Sequence, residues 1–233
     1  MDFTARYSRQ IMLGEIGIEG QRKLAGASVL LVGAGGLGSA IALYLTGAGI
    51  GRLGIVDGDT VSESNLQRQV LYTEQEVGQP KSDCARRRLQ ALSSATQIDV
   101  YPFFLTRENA LPVIRQYDIV VDGCDNYATR YLLDDCCREA GIPYVYGSIG
   151  EFRGQVSVFN YRGGMHYRDL FPDEQGQTSQ PKTVGGVLGV VPGIVGAAEA
   201  AEVIKIVTGC GEPLRNKLFT IDVLTMQTDI FEF

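Results

Sequence analysis

Gly33, Gly35 and Gly38 keep a G-x-G-x-x-G spacing directly behind the apolar run Leu30-Leu31-Val32. An apolar run, a glycine cluster and then small helix-forming residues read as strand, tight turn and helix start. The first N–H groups of a helix are unpaired, and the helix dipole adds partial positive charge there. Glycines let an anion approach that backbone closely, so this segment is a candidate phosphate cradle. A second apolar run, Arg52 to Val56, ends at Asp57, with Asp59 two residues on. Carboxylates at the carboxyl end of a strand suit ribose hydroxyls or a metal, and Asp-Gly-Asp is also ordinary turn chemistry.

Further groups follow in the same style. Ser64-Asn65-Leu66-Gln67-Arg68-Gln69 places amides and a guanidinium just after those acids. Arg68 can fork two donors onto a phosphate, or stand as a solvated surface arginine. Lys81 follows Gly78-Gln79-Pro80 at a helix start. Its charge opposes the helix dipole unless an anion offsets it, which points to phosphate. The run Asp118 to Asp122 leads into Gly123-Cys124-Asp125-Asn126. Asp125 there is a candidate Mg²⁺ carboxylate, since Mg²⁺ takes one or two carboxylates plus phosphate oxygens, or a helix cap. Cys124 adjoins that position and reads as a small packed residue rather than a nucleophile.

The elements that must position these groups follow a βαβ rhythm. Residues Phe3 to Leu24 form helical pieces. Strands are expected at Val29 to Val32, Arg52 to Val56, Gln97 to Phe104, Asp118 to Asp122 and Pro143 to Gly147. Helices are expected at Gly38 to Gly47, Pro80 to Ser93, Glu108 to Gln116 and Tyr127 to Ala140. That alternation predicts a parallel sheet with helices on both faces. Beyond Gly147 the rhythm changes: Gly154 to Tyr161 and Lys217 to Asp222 alternate like antiparallel strands, with a last strand near the C-terminus. Phe171 to Gly185 reads as a mobile loop and Val187 to Val207 as an apolar helix broken or entered at Pro192. The fold class is α/β: a Rossmann-like, mostly parallel sheet continuing into a mixed or antiparallel half, as one domain over 1–233. The nucleotide-binding half is 1–147 and the mixed-sheet half 148–233.

Composition narrows the function. The chain has 233 residues, 45% hydrophobic and 21% charged, with a net charge of -6. Basic residues are scattered, which argues against a nucleic-acid partner. The uncharged stretch Thr183 to Ala198 is shorter than the roughly 20 residues of a membrane span and contains Pro192 and several glycines, and no secretory leader is visible, so no membrane partner is expected. The 5 cysteines form no C-x-x-C pair and read as free thiols of a reduced, cytoplasmic protein. The 1 histidine, His166, leaves no basis for a histidine metal site or a Ser-His triad and reads as structural.

Taken together, Arg6-Tyr7-Ser8-Arg9-Gln10, the glycine loop, Asp57 to Asp59, Asn65-Leu66-Gln67-Arg68-Gln69, Gly78 to Lys81 and Asp125 to Arg130 resemble the ubiquitin-activating-like adenylyltransferases of the MoeB/ThiF/HesA group. Gly154-Gln155-Val156, Tyr167 to Pro172 and Gly185 to Val207 continue the likeness over nearly the whole chain. The resemblance implies adenylation: ATP·Mg²⁺ and the C-terminal Gly-Gly carboxylate of a small ubiquitin-like sulfur carrier give an acyl-adenylate and pyrophosphate. It implies that Gly33, Gly35 and Gly36 pack against the nucleotide and that Asp57 holds the ribose. Asn65, Gln67, Arg68 and Lys81 would contact phosphates, with Asp59, Ser64 and Asn126 completing the binding set. Asp125 would bind Mg²⁺, and Arg9 would reach the ATP of the other subunit in a homodimer. Arg9, Arg68, Lys81 and Asp125 are thus the expected catalytic set. The ionised carboxylate nucleophile needs no general base, so catalysis reduces to aligning anions and neutralising charge.

Two departures shape the expectation. Relatives with a structural zinc carry two C-x-x-C pairs. Here the first pair falls on His166 and Asp169, and no second pair follows before Phe233. Tetrahedral zinc needs four ligands, so none is expected. The loop region Pro181-Lys182-Thr183-Val184 has no cysteine, so sulfur is expected from a separate sulfur-donor protein. Competing readings are an NAD-dependent Rossmann oxidoreductase, a non-catalytic nucleotide- or carrier-binding scaffold, and an enzyme activating a small molecule.

Overall fold

A computed structural model of the chain describes residues 2–172, 174–179 and 185–233. Three short helices, α1 (Phe3–Arg6), α2 (Ser8–Ile11) and α3 (Gly17–Gly26), precede β1 (Ser28–Val32). Then follow α4 (Gly36–Ala48), β2 (Arg52–Val56), α5 (Lys81–Leu92), β3 (Gln97–Tyr101), α6 (Ala110–Ile114), β4 (Ile119–Asp122), α7 (Tyr127–Ala140) and β5 (Tyr144–Gly150). The remainder is β6 (Arg153–Phe159), α8 (Tyr167–Leu170), α9 (Glu174–Ser179), α10 (Val190–Thr208), β7 (Lys217–Asp222) and β8 (Gln227–Glu232).

All eight strands join one sheet in the order β3-β2-β1-β4-β5-β6-β7-β8. Pairing is parallel from β3 through β5 and antiparallel from β5 through β8. The central strands are apolar without alternation because both faces are covered. In β1, Leu31 enters the core beneath α4 and α10, while Leu30 and Val32 enter the opposite core. That second core is aromatic: Tyr131, Tyr144, Tyr146, Phe159 and Tyr167 are all buried there, against α7. On the first face α10 lies so close to α4 that a Cβ on Gly196 would meet the Leu37 carbonyl at 2.6 Å.

The strand order reverses between β1 and β4. In an open α/β sheet that switch point leaves a crevice at the carboxyl ends of the two strands, where ligands bind. Both the glycine loop and the Gly123–Asn126 turn emerge there.

Several boundaries differ from the sequence expectation. Helix α4 starts at Gly36 rather than Gly38. Strand β3 stops at Tyr101 because Pro102 has no N–H to continue the ladder. Helix α6 is confined to Ala110–Ile114. Within the stretch expected as a loop, Glu174–Ser179 is helical, and so is Tyr167–Leu170 just before it. Pro181-Lys182-Thr183-Val184 lies outside the described residues. Helix α10 starts at Val190, which puts Pro192 in its first turn, where the missing N–H removes no helical hydrogen bond.

Candidate active site

The glycine loop is built for close approach. Gly33 has φ +93, and a Cβ on it would lie 2.5 Å from the Gly123 carbonyl across the switch point. A Cβ on Gly38 would lie 2.1 Å from the Gly33 carbonyl, so the first turn of α4 seats on the loop only with glycine there. Gly35 caps α4 without a side-chain hydrogen bond, and the space over it is open except for Gln69 Nε2 at 3.6 Å. The N-terminal N–H groups of α4 are thus left for an anion. Arg68 arches over the same turn: its Cγ would be 3.6 Å from a Cβ on Gly36, and its Nη1 donates to the Ser64 carbonyl at 3.1 Å.

Asp57 is buried and pins the loop. Its Oδ2 accepts from the Ala34 N–H at 2.7 Å and its Oδ1 from the Asp59 N–H at 2.8 Å. A carboxylate has about four lone-pair sites, so these bonds leave capacity for hydroxyl donors. Tyr72 closes the loop from the other side, donating to the Ala34 carbonyl at 2.7 Å. Burial, then the charge of Asp57, pushes its hydroxyl pKa up, so it remains a donor.

Lys81 corrects one inference. Its charge at the start of α5 is offset within the chain: Nζ sits 3.0 Å from Asp59 Oδ2, and the Lys81 N–H donates to the Asp59 carbonyl at 2.9 Å. The lysine side chain is 6% exposed and the aspartate 56%, so the ammonium is held in the wall while its partner faces solvent. The helix-start conflict is therefore no independent sign of phosphate. The ammonium has three donors, and the pair fixes its direction.

Across the crevice, the ambiguity between ligand and cap resolves by division. Asn126, not Asp125, caps α7, its Oδ1 accepting from the Thr129 N–H at 2.9 Å. Asp125 is the exposed residue immediately before the cap. Cys124 is buried, and its Sγ donates to Asp122 Oδ1 at 2.7 Å. Burial and then the Asp122 charge push its thiol pKa well up, which keeps it protonated and un-nucleophilic.

The other expected residues are placed unevenly. Asn65 shapes the turn, its carbonyl accepting from the Arg68 and Gln69 N–H groups at 3.0 and 2.9 Å. Ser64 Oγ lies 3.2 Å from Ser62 Oγ on the exposed side. Gln67 packs against the head of α10, its Oε1 2.8 Å from where a Gly189 Cβ would be. Arg9 is not at the crevice. It lies on α2, where neighbouring Gln10 bonds to the Ala48 carbonyl at the far end of α4. Helix α4 has 13 residues, so it separates that end from the glycine loop by about 20 Å.

Two residues at this site escaped the sequence reading. Gln69, 4% exposed, has a buried Oε1 without a partner among the described residues. Tyr72 carried no signal at all. Gln69 was visible only as the last residue of Asn-Leu-Gln-Arg-Gln.

Metal chemistry can be tested on the donors present. Among the described residues no group of three or more His, Cys, Asp or Glu side chains gathers as a metal site. One carboxylate, Asp125, suits a Mg²⁺ that arrives on a triphosphate and keeps phosphate and water oxygens. Zinc does not fit the His166/Asp169 pair, because Asp169 Oδ2 accepts from the His166 N–H at 2.8 Å to cap α8. The crevice thus carries Arg68, the Lys81–Asp59 pair and the α4 terminus beside the carboxylates Asp57 and Asp125. Donors and carboxylates in that pattern are chemically complementary to a polyphosphate on a ribose.

Comparison with known proteins shows what the chain is similar to. The family model described as the ThiF family matches residues 7–233. The sulfur carrier protein adenylyltransferase of Thermus thermophilus is 47% identical over 225 residues, covering 94% of this chain and 83% of that protein. The adenylyltransferase and sulfurtransferase MOCS3 of Culex quinquefasciatus is 50% identical over 223 residues, and the chain spans only 50% of its length. Among solved structures, E. coli MccB with ATP superposes with a TM-score of 0.81 at 25% identity, covering 97% of this chain and 71% of that one. No helix among the described residues is long and apolar enough to cross a membrane.

Proposed function

The chain belongs to the ThiF family, and we propose that this adenylyltransferase activates the C-terminal Gly-Gly carboxylate of a small ubiquitin-like sulfur carrier with ATP. The observation that carries the reading is the convergence at one switch point of an uncapped helix start, Asp57, the Lys81–Asp59 pair and Asp125. In this reading Asp57 orients the ribose through its remaining lone pairs. Lys81 and Arg68 neutralise the phosphates, and the N–H groups of Gly35 and Gly36 face them. Asp125 would hold Mg²⁺, which when bound would supply positive charge beside the phosphates.

The carrier's terminal carboxylate oxygen bonds to the α-phosphorus, and the bond from that phosphorus to the pyrophosphate oxygen breaks. No proton transfer is required, which suits a site without histidine. Residues 148–233 form the carrier-binding half. The enzyme works as a homodimer in which Arg9, next to the Gln10 that bonds the far end of α4, serves the partner's site; that end lies about 20 Å from the chain's own glycine loop. A separate protein supplies the sulfur, and the carrier belongs to thiamin or molybdopterin biosynthesis in the cytoplasm. No nucleic acid takes part. A nicotinamide oxidoreductase would give Asp57 the same task but leaves Lys81 and Asp125 without one.

The test is exchange of labelled pyrophosphate into ATP. The reading expects exchange with a Gly-Gly-ended carrier and little without it. Carrier-independent exchange, or none with any such carrier, refutes it.

A further inference from the structure

Arg130 takes no part in the chemistry above, yet it is a buried cation hydrogen-bonded inside the fold. It lies one turn into α7, 5% exposed, with its guanidinium turned under the crevice. Nε donates to Asp122 Oδ2 at 3.1 Å. Nη2 donates to two carbonyls, Cys124 O at 3.2 Å and Gly147 O at 3.1 Å. The plane also rests over the Tyr146 ring at 5.4 Å and the Tyr127 ring at 5.7 Å.

Asp122 is equally committed. Its Oδ1 accepts from the Cys124 N–H at 2.9 Å and its Oδ2 from the Tyr144 hydroxyl at 2.8 Å. Both backbone groups of Cys124 are therefore held by one buried ion pair. The carbonyl of Cys124 belongs to the peptide unit that opens Asp125, so its direction sets the path of the backbone into that residue. The same guanidinium ties this point to the middle of β5.

Stability alone does not account for such a pair. Desolvating two charges costs about as much as their attraction returns, and well-packed apolar residues often do as well. A planar fork that bonds a carboxylate on β4, a carbonyl in the turn after it and a carbonyl on β5 does what no apolar side chain can: it fixes direction. We propose that Arg130 is a positioning residue, which aims Asp125 into the crevice by holding the Cys124 and Gly147 carbonyls together. The proposal rests on the reading of Asp125 as the Mg²⁺ carboxylate.

The experiment compares Arg130→Lys with Leu133→Ala in the full chain. Leu133 is wholly buried on the same helix, so its truncation destabilises α7 without touching Cys124. Two readouts are taken on each folded variant: amide hydrogen exchange of residues 123–126 without nucleotide, and Mn²⁺ half-saturation with ATP by electron paramagnetic resonance. Loss of groups that orient a metal ligand weakens metal binding by about 10–100-fold. The Arg130→Lys protein should show that loss, with faster exchange at 123–126, while Leu133→Ala lowers the unfolding midpoint and moves neither. If Arg130→Lys changes only the midpoint, the residue is merely structural and the proposal falls. A wild type that fails carrier-dependent exchange would overturn the proposed function, while the nucleotide-free hydrogen-exchange arm still judges Arg130.

Discussion

Glu199 on α10 is wholly buried, and neither carboxyl oxygen has a hydrogen-bond partner among the described residues. Gly147 on β5 makes room for it: a Cβ there would lie 2.3 Å from Glu199 Cδ. Burial, then the charge of Asp122, drives its pKa well above the ordinary 4.5, with Arg130 opposing. The folded protein thus retains a proton that the unfolded chain releases above its ordinary value. The native state binds one proton more through that window, so stability falls as pH rises, by about 1.4 kcal/mol per pH unit, until the raised pKa is reached. Glu199→Gln keeps the shape and removes the proton. Urea unfolding followed by circular dichroism should show the two proteins diverging as pH rises. Above the ordinary carboxylate range the difference grows in favour of the variant by about 1.4 kcal/mol per pH unit until the raised pKa is passed, against a typical total of about 5–15 kcal/mol. Glu202 is the contrast: it accepts from the Leu214 N–H at 2.8 Å and pairs with Lys205. Glu202→Gln should cost about 1–3 kcal/mol at neutral pH. Parallel pH curves for wild type and Glu199→Gln would mean that the carboxyl is charged and solvated, and the reasoning would fail.

Gly38→Ala should destabilise by more than about 3 kcal/mol, read as a shift in the urea midpoint, because its Cβ meets backbone. Gly26→Ala, at the last residue of α3 with nothing within 4 Å, should instead gain up to about 1 kcal/mol in the same measurement. Lys81→Ala should lower carrier-dependent pyrophosphate exchange by about 100- to 1,000-fold, as loss of one preorganised donor to a developing charge does elsewhere. Near-normal exchange would remove Lys81 from the site. Mixing inactive Arg9→Ala and Lys81→Ala subunits should restore about a quarter of wild-type activity, since half the dimers are hybrids with one intact site each. No recovery on mixing would place Arg9 in its own subunit's chemistry.

Local signals carried the parallel half of the fold. Short, β-branched apolar runs such as Ile119-Val120-Val121 read as strands buried on both faces, and the glycine spacing marked the loop that follows β1. Boundaries slipped where local and tertiary rules compete. Gly36 begins α4 because its turn packs on Pro192 and Arg68, which no single-residue preference reveals. The pieces α8 and α9 are too short for helical periodicity to show. At the site, carboxylates at strand ends were legible because strand ends converge in this class of sheet. Pairings between distant positions were not. Lys81 meets Asp59 across 22 positions, Tyr72 meets Ala34 across 38, and Asp57 meets the Ala34 N–H across 23. The capping role of Asn126 was hidden because its neighbour Asp125 is an equally good cap by type.

The account stands most directly on the product. A purified Gly-Gly-ended sulfur carrier, incubated with this protein, ATP and Mg²⁺, is weighed intact and then fragmented. The account predicts one AMP on the terminal glycine carboxylate, absent when the carrier lacks that glycine. An unmodified carrier beside consumed ATP, or AMP on any other group, would contradict it.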